Sequence, residues 1–200
     1  PSALTSSGPV VRAVHGPRPL ATPPAPAAWR QPGPRLGSTA SPGLNYTPER
    51  QWYGETEAGI QQYFEQLQKG NIQVMLKPQR WVRDGAFTGR IKMNSPKDWK
   101  LFESQYSAFI LRFARLAQQL DIPLFCIGTE LKAFVRARPE FWQGLIADIR
   151  AVYSGKLTYA ANWDEYEETF FWDALDFIGI DAYFPLSEER DPSYLSFIQA

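Results

Sequence analysis

The stretch 124-LFCIGTELKAF-134 decides how this sequence folds. Leu124 to Ile127 form an apolar run that stops at Gly128, and Glu130 follows two residues later. With Pro123 in front, such a run reads as a buried strand. Three further runs match it: 72-IQVML-76, 157-LTYAA-161 and 177-FIGIDAY-183. A carboxylate therefore stands at the end of one of four candidate strands.

Helical patterns separate these strands. In 55-ETEAGIQQYFEQLQK-69, Ile60, Tyr63, Phe64 and Leu67 form one stripe at i, i+3, i+4 and i+7, and Gly70 closes it. Ser95 and Pro96 form a cap and first turn, with Asp98 near the positive end of the helix dipole. That helix runs to about Gln119 and turns Trp99, Phe102, Tyr106, Phe109, Ile110 and Phe113 inward. Pro139 opens another helix, with Trp142, Leu145, Ile146 and Ile149 inward, and a short helix is expected around Tyr166–Leu175. Strands alternating with helices imply βαβ units and a parallel sheet. Near-continuous apolar strands imply a sheet covered on both faces. The fold class is α/β, a partial (β/α)8 TIM barrel, because a whole barrel needs roughly 250 residues.

Composition sets the limits. Residues 1–48 hold no Asp or Glu, and ten of the 17 prolines lie in residues 1–42 with Trp29 as their one aromatic. Such a segment buries too little to offset its ordering entropy. Residues 1–47 are expected to be a Pro/Ala/Arg-rich disordered, extended or mis-called stretch, and residues 48–200 the partial barrel domain. No apolar region follows the early charges, so no secretory signal is expected. Net charge is zero, which points to no nucleic-acid partner, and no run is apolar and long enough for a membrane helix. One His and one Cys make a zinc site of the usual ligand types untenable. No Gly-rich phosphate loop follows any strand.

Four strand ends carry polar or aromatic residues: Lys77, Gln79 and Trp81; Glu130; Asn162 and Trp163; Asp181 and Tyr183. In a (β/α)8 barrel those ends line the active-site face. A glutamate there acts as a general acid if apolar surroundings or a second carboxylate raise its pKa; otherwise it caps or decorates the helix that follows. Trp81, Trp163 and Tyr183 offer flat platforms for sugar rings. Lys77 in a barrel mouth needs a partner, either a sugar or a carboxylate. Asn162 either binds sugar or caps a helix, and Asp181 either binds substrate or serves a structural hydrogen bond. Cys126 reads as a small buried apolar residue.

The blocks 51-QWYGETEAGI-60, 72-IQVMLKPQRWV-82, 122-IPLFCIGTELKAF-134 and 157-LTYAANWDEYEETFFWDALDFIGIDAYFPLSEE-189 resemble the β-mannanase-type family 113 of glycoside hydrolases. The resemblance spans about residues 48–190. It implies a (β/α)8 barrel of a large retaining clan, with the acid/base glutamate at the end of the fourth strand and the nucleophile at the end of the seventh. Glu130 matches the acid/base, and the four strands become the third to sixth. Thr129 stands where the clan often has an asparagine that binds the sugar 2-hydroxyl. Tyr183 resembles the tyrosine that hydrogen-bonds the nucleophile. The nucleophile is expected beyond Ala200, and residues 1–45 do not resemble the family's first two strands. The implied function is retaining hydrolysis of a β-linked poly- or oligosaccharide such as mannan, without metal or organic cofactor. The alternative is an inactive barrel fragment that at most binds carbohydrate.

Overall fold

The computed structural model describes residues 4–5, 9–14, 53–79, 81–82 and 87–185. Its strands are β1 (Leu4–Thr5), β2 (Pro9–Val14), β3 (Gln73–Pro78), β4 (Trp81–Val82), β5 (Leu124–Thr129), β6 (Lys156–Asn162) and β7 (Phe177–Asp181). The α-helices are α1 (Glu57–Lys69), α2 (Pro96–Gln119), α3 (Lys132–Ala137) and α4 (Pro139–Val152). The main sheet runs β2-β3-β5-β6-β7. β3, β5, β6 and β7 are mutually parallel. All four lie on the runs read from sequence, and their C-terminal ends share one edge.

The helices follow local chemistry. Thr56 accepts a hydrogen bond from the Gly59 amide at the start of α1, and Ser95 accepts from the Asp98 amide at the start of α2. α3 and α4 are separate because Arg138 precedes Pro139, and its backbone lies outside the helical region. α2 buries Phe102, Tyr106, Phe109, Ile110 and Phe113, and α4 buries Trp142, Leu145, Ile146 and Ile149, as their stripes require. On α1 the buried stripe narrows to Ile60 and Phe64, while Tyr63 stays half exposed and Leu67 packs at the rim.

Two features depart from expectation. The segment from Tyr166 to Leu175 is not an α-helix but two short 3₁₀ turns, Tyr166–Glu168 and Trp172–Ala174. The buried Glu165 carboxylate accepts from the Asn162 amide, a bond that starts a turn, but Thr169 takes an extended backbone and ends that turn after Glu168. Within the Pro-rich segment, where no regular element was expected, β2 pairs with β3 and β1 pairs with β4, both antiparallel. The sequence 9-PVVRAV-14 is β-branched enough to lie along the β3 edge, with its proline at the first position. Residues 15–52, including Trp52, lie outside the described residues.

β7 borders the opposite side of the sheet. Its entry is seated by Asp176, which accepts from the Leu157 amide, Arg150 and Lys156. Phe177 and Ile178 remain 53% and 62% exposed. Among the described residues no helix is long and apolar enough to cross a membrane.

The core converges beneath Gly128. A Cβ on this residue would lie 2.7 Å from the Tyr106 hydroxyl and 3.1 Å from the Trp142 ring. The Tyr106 hydroxyl itself donates to the Ile127 carbonyl at 3.0 Å. Only a glycine lets β5 pass this close to α2 and α4. The Gly128→Ala variant should therefore lose about 1–3 kcal/mol of stability from overpacking and displacement of that hydroxyl. Equilibrium urea unfolding checks this, and an unchanged midpoint would show that the packing yields.

Candidate active site

The site begins with an irregularity in β5. Cys126 pairs with Thr158 but Thr129 pairs with Ala160, so β5 carries one residue more than β6 over the same span. Such a bulge turns the strand and re-aims the residues that follow. Glu130 comes directly after it, with a left-handed φ of 51°. Its amide donates to the Ala160 carbonyl at 2.8 Å. A long side chain in this conformation costs about 1–3 kcal/mol, and it persists where surroundings hold it.

Three other strand ends surround Glu130. Lys77 at the end of β3 is buried, 2% exposed, and its Nζ donates to both oxygens of Asp181 at 3.0 and 2.8 Å. Asp181 ends β7 and is 20% exposed. Asn162 ends β6; its amide nitrogen Nδ2 donates to Asp164 at 2.8 Å. Lys132 on α3 reaches the same aspartate at 3.1 Å. Trp163 and Phe184 stand exposed at the rim with ring centres 6.4 Å apart.

Partial burial pushes the Glu130 carboxyl above the ordinary glutamate value, and Asp181 pushes it further. Lys77 opposes both, and Asp164 adds a smaller upward push. The outcome is a carboxyl group that keeps its proton to higher pH than a surface glutamate. Thr129, one residue before it, is buried, and its hydroxyl has no hydrogen-bond partner among the described residues.

The structure brings Glu130, Lys77, Asp181 and Asn162 to one edge of the sheet, with Trp163 beside them. Lys77 is spent on Asp181, the carboxylate partner of the two options its charge left open. Tyr183 lies past β7 and is 71% exposed, on the rim rather than in the mouth. Trp81 enters β4 by its backbone; its side chain and residues 83–86 lie outside the described residues.

Sequence reasoning missed two buried residues under Glu130. Tyr159 on β6 donates its hydroxyl to Glu165 Oε1 at 2.5 Å and accepts the Leu131 amide at 2.7 Å. Burial, with the neighbouring Glu165 carboxylate, pushes the Tyr159 pKa well up, so this hydroxyl stays protonated. Burial also raises Glu165 to about 6, against the hydrogen bonds from Tyr159 and Asn162. A carboxyl raised in the folded state stabilises fully below its unfolded pKa, and that contribution is lost as pH climbs towards 6. One signal was available: Glu165 falls three residues after Asn162, at turn spacing.

A family profile described as Glycoside Hydrolase Family 113 matches residues 38–197. No curated protein matches the chain. Among solved structures the chain is similar to a GH113 β-mannanase from Alicyclobacillus acidocaldarius in complex with ManMIm. Identity is 29% and the TM-score 0.62, over 66% of this chain and 43% of that one. It is also similar to a GH113 β-1,4-mannanase at 26% identity and TM-score 0.60, over 65% of this chain and 43% of that one. A complex structure of a GH113 β-1,4-mannanase gives 25% identity and TM-score 0.61, over 67% of this chain and 45% of that one. The chain thus spans less than half the length of these structures, and its four parallel strands with their helices form part of a (β/α)8 barrel.

The ion pair makes a testable demand. Lys77→Met should cost about 2–4 kcal/mol, slightly under the fully buried range because Asp181 keeps some water contact. The double variant Lys77→Met/Asp181→Leu should recover most of that loss, since no unpaired charge remains. Chemical denaturation of the three proteins measures both; equal losses in the single and double variants would contradict the pairing.

Proposed function

The chain belongs to glycoside hydrolase family 113, and on that premise we propose that its barrel mouth hydrolyses a β-linked poly- or oligosaccharide with Glu130 as general acid/base. The solved relatives are β-mannanases, so a β-1,4-mannan is the substrate class proposed. The observation that carries this reading is Glu130 itself. It stands at the C-terminal end of a parallel strand, and burial and Asp181 hold its pKa up.

In the first step the protonated Glu130 gives its proton to the glycosidic oxygen as the bond to the sugar breaks. In the second step its carboxylate takes a proton from the incoming water. A retaining reaction needs a second carboxylate roughly 5–5.5 Å away as nucleophile. The acids that act on Glu130 here are already engaged: Asp181 with Lys77, Glu165 with Tyr159, and Asp164 with Lys132 and Asn162. By the chain's resemblance to the family, the nucleophile is assigned to the seventh strand of the barrel, with Tyr183 as its hydrogen-bonding neighbour. Trp163 with Phe184 offers a stacking surface, and Asn162, Thr129 and the open edge of Asp181 offer hydrogen bonds to sugar hydroxyls. Lys77 acts through Asp181. Proton transfer between a carboxyl group and oxygen requires no metal or organic cofactor.

The engaged state of these acids also favours a second reading, carbohydrate binding without hydrolysis. One experiment separates the two. The protein is expressed from its full reading frame and assayed on β-1,4-mannan and manno-oligosaccharides, beside Glu130→Gln. Hydrolysis predicts a loss of about 10²–10⁴-fold in the variant. It also predicts activity that declines as pH rises through the raised Glu130 pKa, because the acid must be protonated. Equal activity in both proteins removes Glu130 from the mechanism; binding with no turnover in either supports the second reading.

A further inference from the structure

Resting on the assignment of Glu130 as acid/base, we propose that Tyr159 and Glu165 are positioning residues: a buried relay, Glu165 to Tyr159 to the Leu131 amide, that holds the Glu130 backbone in its left-handed turn and aims the carboxyl into the mouth.

The bonds on both sides of Glu130 carry the argument. Its own amide is tied to the Ala160 carbonyl of β6, and the next amide, Leu131, is tied to the Tyr159 hydroxyl of the same strand. The turn at Glu130 is thus clamped to β6 before and after its Cα. Tyr159 cannot move away. Its ring is fully buried, 5.6 Å from Trp142 and 5.3 Å from Phe171, each crossing it nearly edge to face. Glu165 is 1% exposed, takes the Tyr159 hydroxyl on one oxygen and takes the Asn162 amide on the other. The relay therefore also fixes Asn162, a proposed sugar contact.

A core does not need this acid. Phenylalanine fills the ring's space, and an apolar residue of similar volume in place of a buried charged group is often neutral or stabilising. What a phenylalanine cannot do is accept the Leu131 amide. Buried polar groups that are fully hydrogen-bonded favour a single geometry, and the geometry specified here is that of the residue beside them.

The test uses the full 200-residue chain. Carboxyl-¹³C-labelled glutamate gives the Glu130 titration by NMR, assigned with Glu130→Gln, and amide hydrogen exchange gives the Leu131 protection. In Tyr159→Phe the Leu131 amide should exchange about 10–100-fold faster, the loss expected for one buried hydrogen bond. The Glu130 midpoint should fall towards that of a surface glutamate, while amides in α2 and α4 keep their rates. Glu165→Gln keeps an acceptor for Tyr159 and should accelerate Leu131 by less. Unchanged Leu131 exchange and an unchanged Glu130 midpoint in Tyr159→Phe overturn the proposal. A uniform acceleration across the core overturns it too, because the hydroxyl would then serve only the fold. If Tyr159→Phe does not fold, Glu165→Gln decides, and Leu131 exchange equal to wild type overturns the relay. Neither readout involves turnover, so an active Glu130→Gln enzyme would refute the acid/base role without touching this result.

Discussion

Lys77 and Asp181 meet at 2.8 Å although β5 and β6 lie between their strands. In a flat sheet three strand spacings amount to about 14 Å. For one salt bridge to close that gap, the sheet must curl and both side chains must point to its concave side. The ion pair is thus a measure of barrel curvature and a clasp across the mouth. It also sets the charge that Glu130 meets. The lysine offsets part of the aspartate's effect, so Glu130 is raised mainly by burial rather than by naked repulsion. A buried pair of this kind adds little net stability over apolar packing. Its worth here is to put two opposite charges at a stated place beside a third group.

Beneath the clasp, aromatic packing fixes the height and angle of β5. Tyr106, Trp142 and Tyr159 crowd the position of Gly128, and the strand answers with a glycine and a bulge. The bulge hands Glu130 to the mouth in a conformation that few residues adopt. The Gly-Thr-Glu sequence can then be understood part by part. The glycine answers the close approach of two helices. The threonine presents a buried hydroxyl with no partner among the described residues. The glutamate sits in a strained turn beside an ion pair.

Much of this was legible in the sequence because it is local. The four parallel strands are short apolar runs, and α2 and α4 announce themselves through Ser95, Pro96, Pro139 and their stripes. Glu130 stood out because a carboxylate after an apolar strand is unusual. The rest depends on partners far away in sequence. Nothing near Lys77 reveals that Asp181, 104 residues later, completes it. Glu165 sits in the run 164-DEYEE-168, and only its spacing from Asn162 sets it apart from Glu167 and Glu168, which stay exposed. Its inward turn is set by Tyr159 and the Asn162 amide. The strand at Pro9–Val14 was hidden by the proline bias of its surroundings, since composition over a long window masks the three valines within it.

The proposed chemistry turns on Glu130 as the proton donor. The most direct measurement uses aryl β-mannosides whose leaving groups differ in acidity, cleaved by the full-frame protein and by Glu130→Ala. A general acid matters in proportion to how badly the leaving group needs a proton. The variant should stay close to wild type in the leaving-group step with the most acidic phenols and fall steeply as the phenol becomes less acidic. A loss of equal size across the whole series would contradict the role assigned to Glu130.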